Sequence, residues 1–141
     1  MILNFKEKWM APEIFHGVIV RREKDTRFIE KICDGIKKHS IRIDKKGRWK
    51  SGSVIHMATG GRTGRYKCHA IRKCTGTQSV SIKYGGFANA QYSVYVDNRR
   101  LTESEVEQLA YNDGFDDVRD FLNWFKDDFH GKIIHWTRLR Y

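Results

Sequence analysis

From residue 53 to residue 98 the chain is divided into short runs of strand-forming residues, each closed by glycine or asparagine. Val54, His56 and Ala58 alternate with Ser53, Ile55, Met57 and Thr59, and the run stops at Gly60-Gly61-Arg62-Thr63-Gly64. Residues 66–75, 78–84 and 91–98 follow, rich in valine, isoleucine, tyrosine or threonine. Short alternating runs bounded by turn residues are half-buried strands, and their regular spacing predicts a small barrel or a strongly curled sheet.

Helices flank this block. Phe28, Ile29, Ile32 and Cys33 recur at helical spacing and Gly35 supplies a stop, which predicts a helix over residues 26–34. Thr102-Glu103-Ser104-Glu105 is a capping box, and Val106, Leu109 and Ala110 continue it as an apolar stripe. A second helix begins after Gly114 with Val118, Phe121, Leu122, Trp124 and Phe125 on one face. Gly131 closes this helical hairpin, and residues 132–141 read as the last strand. At the other end, residues 2–6 suit a short strand, Trp9 and the only proline, Pro12, interrupt regular structure, and residues 13–22 read as a weak strand or an irregular connection. The class is α+β, and a length of 141 with 40% apolar residues suits one domain, residues 1–141.

Charge points to the partner. The formal net charge is +10, and nine carboxylates against Arg119 and Lys126 make residues 101–130 −7, which leaves +17 for the rest. The densest basic stretch runs from Gly35 to Gly52, where Lys37, Lys38, Arg42, Lys45, Lys46, Arg48 and Lys50 face only Asp44. Ile41 and Ile43 alternate with Ser40, Arg42 and Asp44, so the cations sit on a half-buried strand and its turns rather than on a free arm. A polyanion is the expected partner, nucleic acid first, DNA included. No apolar run approaches the length of a membrane span and no signal peptide is visible, so a membrane is excluded and a cytoplasmic location expected. Three cysteines, an odd and small number, fit a reducing compartment.

The order of motifs resembles a known family. A helix ending in glycine leads into Gly35-Ile36-Lys37-Lys38-His39-Ser40-Ile41-Arg42; then come Trp49-Lys50-Ser51-Gly52, Ile55-His56-Met57-Ala58-Thr59-Gly60-Gly61-Arg62-Thr63 and Asp113-Gly114-Phe115. Over roughly residues 26–141 this is similar to the ASCH domains, PUA-like β-barrels, and especially the stand-alone ASCH proteins of bacteria and phages. The resemblance implies a small PUA-like barrel with flanking helices and a C-terminal helical hairpin before the last strand. It also implies RNA or modified-nucleoside binding and, from one branch, hydrolysis of the amide of N4-acetylcytidine. That branch's catalytic lysine, threonine and acid fall on Lys37, Ser40 and Asp113.

The residue types suit such chemistry: Ser40 as nucleophile, Lys37 as base beside Lys38 and Arg42, and Asp113 to orient the lysine. In a straight strand, positions 37 and 40 face opposite ways, so Lys37 must lie in a turn. Asp113 before glycine is equally a common turn residue. Lys38, Arg42, Lys45, Lys46, Arg48, Trp49, Lys50, Arg62, Thr63, Arg65 and Tyr66 are the candidate ligand contacts, with Trp49 and Tyr66 able to stack bases. Binding without turnover is the rival reading. No cofactor is called for. A zinc site at Cys68, His69 and Cys74 is rejected, because six residues of strand separate the sulfurs by about 20 Å. The acidic helices of residues 102–130 offer a surface for a protein partner or a lid.

Overall fold

The computed structural model describes residues 1–85 and 91–141. Over these residues it is α+β, with two open sheets, a separate hairpin and three helices. In the first sheet β1 (Ile2–Asn4) lies parallel to β5 (Val54–Thr59), and β5 is antiparallel to β6 (Lys67–Lys73). The second sheet has the order β4 (His39–Arg42), β10 (Phe129–His135), β7 (Gly76–Tyr84), β8 (Tyr92–Val96), β9 (Arg99–Arg100), all antiparallel. Among the described residues neither sheet closes into the expected barrel.

Alternation places the core. On β7 the side chains of Gln78, Val80 and Ile82 are buried, while intervening residues are half-buried. Val94 and Val96 of β8 continue that face, and Phe121, Leu109 and Val106 of the helices cover it. The central strand β10 buries Ile133 and Ile134 in succession, so both of its faces are covered there. The capping box predicted at Thr102 forms: its hydroxyl accepts from the Glu105 amide at 3.3 Å, and Glu105 accepts from the Thr102 amide at 2.8 Å. It starts α2 (Glu103–Asn112), and α3 (Val118–Trp124) completes the helical hairpin.

Three expectations need correction. Trp9 and Pro12 do not interrupt the chain: β2 (Lys8–Phe15) runs through both and pairs with β3 (Val18–Asp25) as a two-stranded ribbon. Both are edge strands with half their amides facing solvent, so a proline is tolerated. The first helix, α1, spans only Phe28–Cys33, because Thr26 is used to accept from the Phe28 amide and to donate to the Lys6 carbonyl. The last strand begins at Phe129 and ends at His135, and Gly131 sits inside it rather than before it.

Gly131 is required there by space. A Cβ on it would come within 2.6 Å of the Arg42 carbonyl oxygen and 2.7 Å of the Phe129 ring. Gly131→Ala is therefore expected to destabilise the fold by about 1–3 kcal/mol, through overpacking at the β4–β10 crossing. Urea unfolding should show a lower midpoint at unchanged slope.

Candidate functional site

Lys37 reaches the interior because of the way α1 ends. Gly35 takes a left-handed conformation, φ 74°, and the amides of Ile36 and Lys37 both return to the Lys31 carbonyl, at 2.8 and 2.9 Å. The next amide, Lys38, donates to the Asn112 carbonyl at the end of α2 at 2.7 Å. Lys37 therefore lies in the connection between the turn at Gly35 and β4, off the strand that carries Ser40. Its Nζ donates to the Asp113 carbonyl and, at 3.0 Å, to Asp113 Oδ1. The same ammonium stands 4.5 Å from the centre of the Phe28 ring and 5.6 Å from that of Phe5. Gly114 permits this approach: a Cβ there would be 3.0 Å from both Lys37 Cδ and the Phe28 ring.

Asp113 also faces His39, whose Nδ1 lies 3.4 Å from Oδ1 but is too poorly aligned for a hydrogen bond. The far nitrogen of His39, Nε2, meets the Tyr141 hydroxyl at 2.7 Å. Gln108 donates to Asn112 Oδ1 at 3.2 Å, so the Asn112 amide nitrogen donates to the Tyr141 oxygen at 2.9 Å. The phenol proton is then free for His39 Nε2, which assigns the ring proton to Nδ1, facing the carboxylate. His39, Asn112 and Tyr141 were not among the sequence candidates. His39 stood inside the basic motif, whereas Tyr141 gave no signal at all.

Burial dominates the electrostatics. It pushes the Lys37 ammonium down to about 8 even though Asp113 opposes the shift. For Asp113 burial favours the neutral acid, but the Lys37 charge and the His39 ring outweigh it and hold the carboxyl below the ordinary carboxylate range. Ser40 is also buried, and its hydroxyl accepts from Arg42 Nε at 3.2 Å. Arg42 in turn donates to the Asn4 carbonyl at 2.9 Å and lies 5.3 Å from the Phe5 ring centre. Lys37 and Asp113 are thus in contact, whereas Ser40 is held by Arg42 and makes no hydrogen bond to Lys37. A lysine near 8 has a neutral fraction around pH 7 and can act as a base, provided ligand can reach it.

A second locus is open to solvent. Asp44 accepts from the amides of Arg48 and Trp49, at 2.9 and 3.1 Å, and so folds the loop after β4. Asn4 Oδ1 accepts from the Gly61 amide at 2.7 Å and holds the turn after β5 against β1. Arg48 and Trp49 thereby meet Arg62 and Tyr66 around a groove of about 660 Å³. Trp49 is buried at 6% exposure and offers the groove only an edge, while Tyr66 is 44% exposed. Lys45, Lys46, Lys50 and Thr63 are exposed on the same two loops without lining the groove, and Lys38 is half-buried near α2. Arg65 turns to a different cavity, beyond the turn.

The acidic helices are partly committed within the chain. Asp116 accepts from Lys31 at 2.8 Å, Asp120 pairs with Lys24, and Glu105 pairs with Arg99 at 2.9 Å. Among the described residues no helix is long and apolar enough to cross a membrane. No family model, curated protein or solved structure matches the chain.

The ion pair yields a stability prediction with a defined sign. Lys37→Met leaves Asp113 buried without its cation and is expected to cost about 3–5 kcal/mol, part of which Lys37→Met/Asp113→Asn should restore. Between pH about 8 and the ordinary lysine value of 10.5, the native chain has released the Lys37 proton while the unfolded chain retains it. Its contribution to stability therefore rises with pH across that window and is absent in Lys37→Met. The Asp113 contribution is present above its ordinary value of 3.8 and lost as pH falls through the lower folded value. Urea midpoints measured against pH for both proteins check these slopes.

Proposed function

We propose that the chain is an ASCH-type, PUA-like module, its two open sheets wrapped around one core in place of a closed barrel, that binds single-stranded RNA or a modified nucleoside. The observation that carries this reading is the groove between residues 44–49 and 60–66, where Arg48 and Arg62 stand beside Trp49 and Tyr66. Guanidinium groups grip phosphates and stack on bases, and an exposed tyrosine supplies a stacking face, the combination used by readers of single strands. Lys45, Lys46 and Lys50 add long-range attraction on the adjoining loop.

A second reading, favoured by the Lys37–Asp113 contact across 76 residues of sequence, is amide hydrolysis of an N4-acylated cytidine. Neutral Lys37 would take the Ser40 hydroxyl proton as that oxygen adds to the amide carbonyl, and pass a proton to the departing amine. Water would then release the acyl group from Ser40. All three side chains are buried and line none of the larger surface cavities, so turnover would require the Phe28 and Gly114 cover to move. Binding is accordingly the leading conclusion.

Fluorescence anisotropy with labelled RNA oligonucleotides tests it. Arg48→Ala/Arg62→Ala is expected to weaken binding across sequences and to lower the dependence of log affinity on log salt by about one for each phosphate no longer neutralised. Unchanged affinity and slope would falsify the groove reading. For the enzyme reading, cytidine should appear by mass spectrometry on incubation with N4-acetylcytidine and vanish in Lys37→Ala. Absence of product from the unaltered protein ends that reading.

A further inference from the structure

On the opposite side of the turn at residues 60–66 lies a second cavity of about 620 Å³, whose walls include Lys6, Thr59, Arg65 and His69. Three features make this a built site rather than a gap. First, the β5–β6 ladder pairs Met57 with Ala70 but Ala58 with Cys68, so His69 is the extra residue of a β-bulge. A bulge leaves one residue unpaired and re-aims its side chain, and such bulges concentrate beside functional sites. Here the re-aimed ring reaches Thr59, whose hydroxyl meets His69 Nε2 at 2.9 Å.

Second, the turn brings Arg65 back to the end of β5. Gly60 is left-handed at φ 63°, and a Cβ on it would collide with the Arg65 carbonyl. Third, the Phe5 amide donates to the Ala58 carbonyl at 2.8 Å, which extends the parallel pairing of β1 along the end of β5 where Thr59 lies. Other charges on this cavity are accounted for. Lys8 pairs with Glu23 at 2.8 Å and Arg27 with Glu30 at 2.6 Å, and the carboxylates Glu7 and Asp25 line the end of the cavity next to Lys8 and Thr26. The Lys6 ammonium stands 5.7 Å from the centre of the Trp124 ring, and Arg65 makes no salt bridge among the described residues. Whichever way the Thr59–His69 hydrogen bond runs, one donor is left over: the ring Nδ1–H if Thr59 donates, the Thr59 hydroxyl if Nε2 donates.

We propose that Thr59, His69 and Arg65 form a phosphate subsite that takes the backbone phosphate of the strand held in the Arg48–Arg62 groove, the turn at residues 60–66 being the ridge between two successive nucleotides. The strand assignment rests on the nucleic-acid reading above; the phosphate site itself does not. Arg62 and Tyr66 face one side of the ridge and Arg65 the other, so one turn serves both positions. A guanidinium and the remaining donor of the Thr59–His69 pair are suited to phosphate oxygens, and no catalytic step is assigned to that pair.

The test uses the full chain with inorganic phosphate, 5′-CMP and labelled oligocytidylates of increasing length. Phosphate and 5′-CMP should shift imidazole resonances that disappear in His69→Gln, and Arg65→Ala should weaken both by roughly tenfold, the effect of one charged hydrogen bond. Thr59→Val, which keeps the side-chain shape, should weaken them less. Oligocytidylates long enough to cross the ridge should bind Arg65→Ala more weakly than the unaltered protein, with a salt slope lower by about one. An unmoved His69 resonance at millimolar phosphate and 5′-CMP overturns the subsite. A response to 5′-CMP with no effect of Arg65→Ala on any oligocytidylate overturns the shared strand and leaves a free-nucleotide site. Weak binding by Arg48→Ala/Arg62→Ala beside normal binding by Arg65→Ala sinks the shared strand while the groove reading stands.

Discussion

The buried pair of Lys37 and Asp113 is the contact on which the arrangement of this protein depends. Two charges removed from water are costly unless geometry compensates, and here the ammonium has two oxygens of one residue and two aromatic faces around it. That arrangement forces the end of α1, the start of β4 and the connection between α2 and α3 to meet at one point. Lys31 repeats the device six residues earlier, on α1. It donates at 2.8 Å to the Gly114 carbonyl and to Asp116, so two lysines from one segment clamp residues 113–116.

A polar chain extends from that clamp into the second sheet. His39 joins Tyr141, and its ring lies edge-on to His135 with centroids 5.4 Å apart. His135 meets Gln78 Oε1 at 3.1 Å, and Gln78 donates to Asp97 and to the Tyr141 carbonyl, at 2.9 and 3.0 Å. Burial pushes His135 down to about 3, so it is neutral throughout the physiological range. Both histidines keep a buried Nδ1 without a hydrogen-bond partner among the described residues. Such a network adds little net stability, but it accepts only one register of β4 against β10 and one path for the last six residues.

The groove is open by contrast, and each of the two loops that line it is held by a single short polar side chain. Asp44 folds the loop that presents Arg48 and Trp49, and Asn4 anchors the turn that presents Arg62 and Tyr66. The contacts that shape the groove therefore differ from those that hold the core. Arg42 links them, since it shares the Phe5 ring with Lys37 and donates to the Asn4 carbonyl at the groove's edge.

Much of this was legible in the residue pattern. Alternation found β5, β7 and β8, the capping box found α2, and the charge run with its glycines placed cations on turns around β4. Local signals were enough because strand period, cap chemistry and left-handed glycines act over a few residues. The pattern failed at Pro12, where a lone ribbon tolerates what a central strand cannot, and at Gly131, whose role is set by the Arg42 carbonyl of another strand. By itself the sequence determined the class of elements, the basic character and the need for Lys37 to leave the strand. Only the tertiary structure decided that Lys37 and Asp113 touch, that Tyr141 closes over His39 and that a bulge turns His69 onto Thr59. Those contacts join residues far apart along the chain or depend on a ladder's register, and burial fixes them with a strength that no local preference encodes.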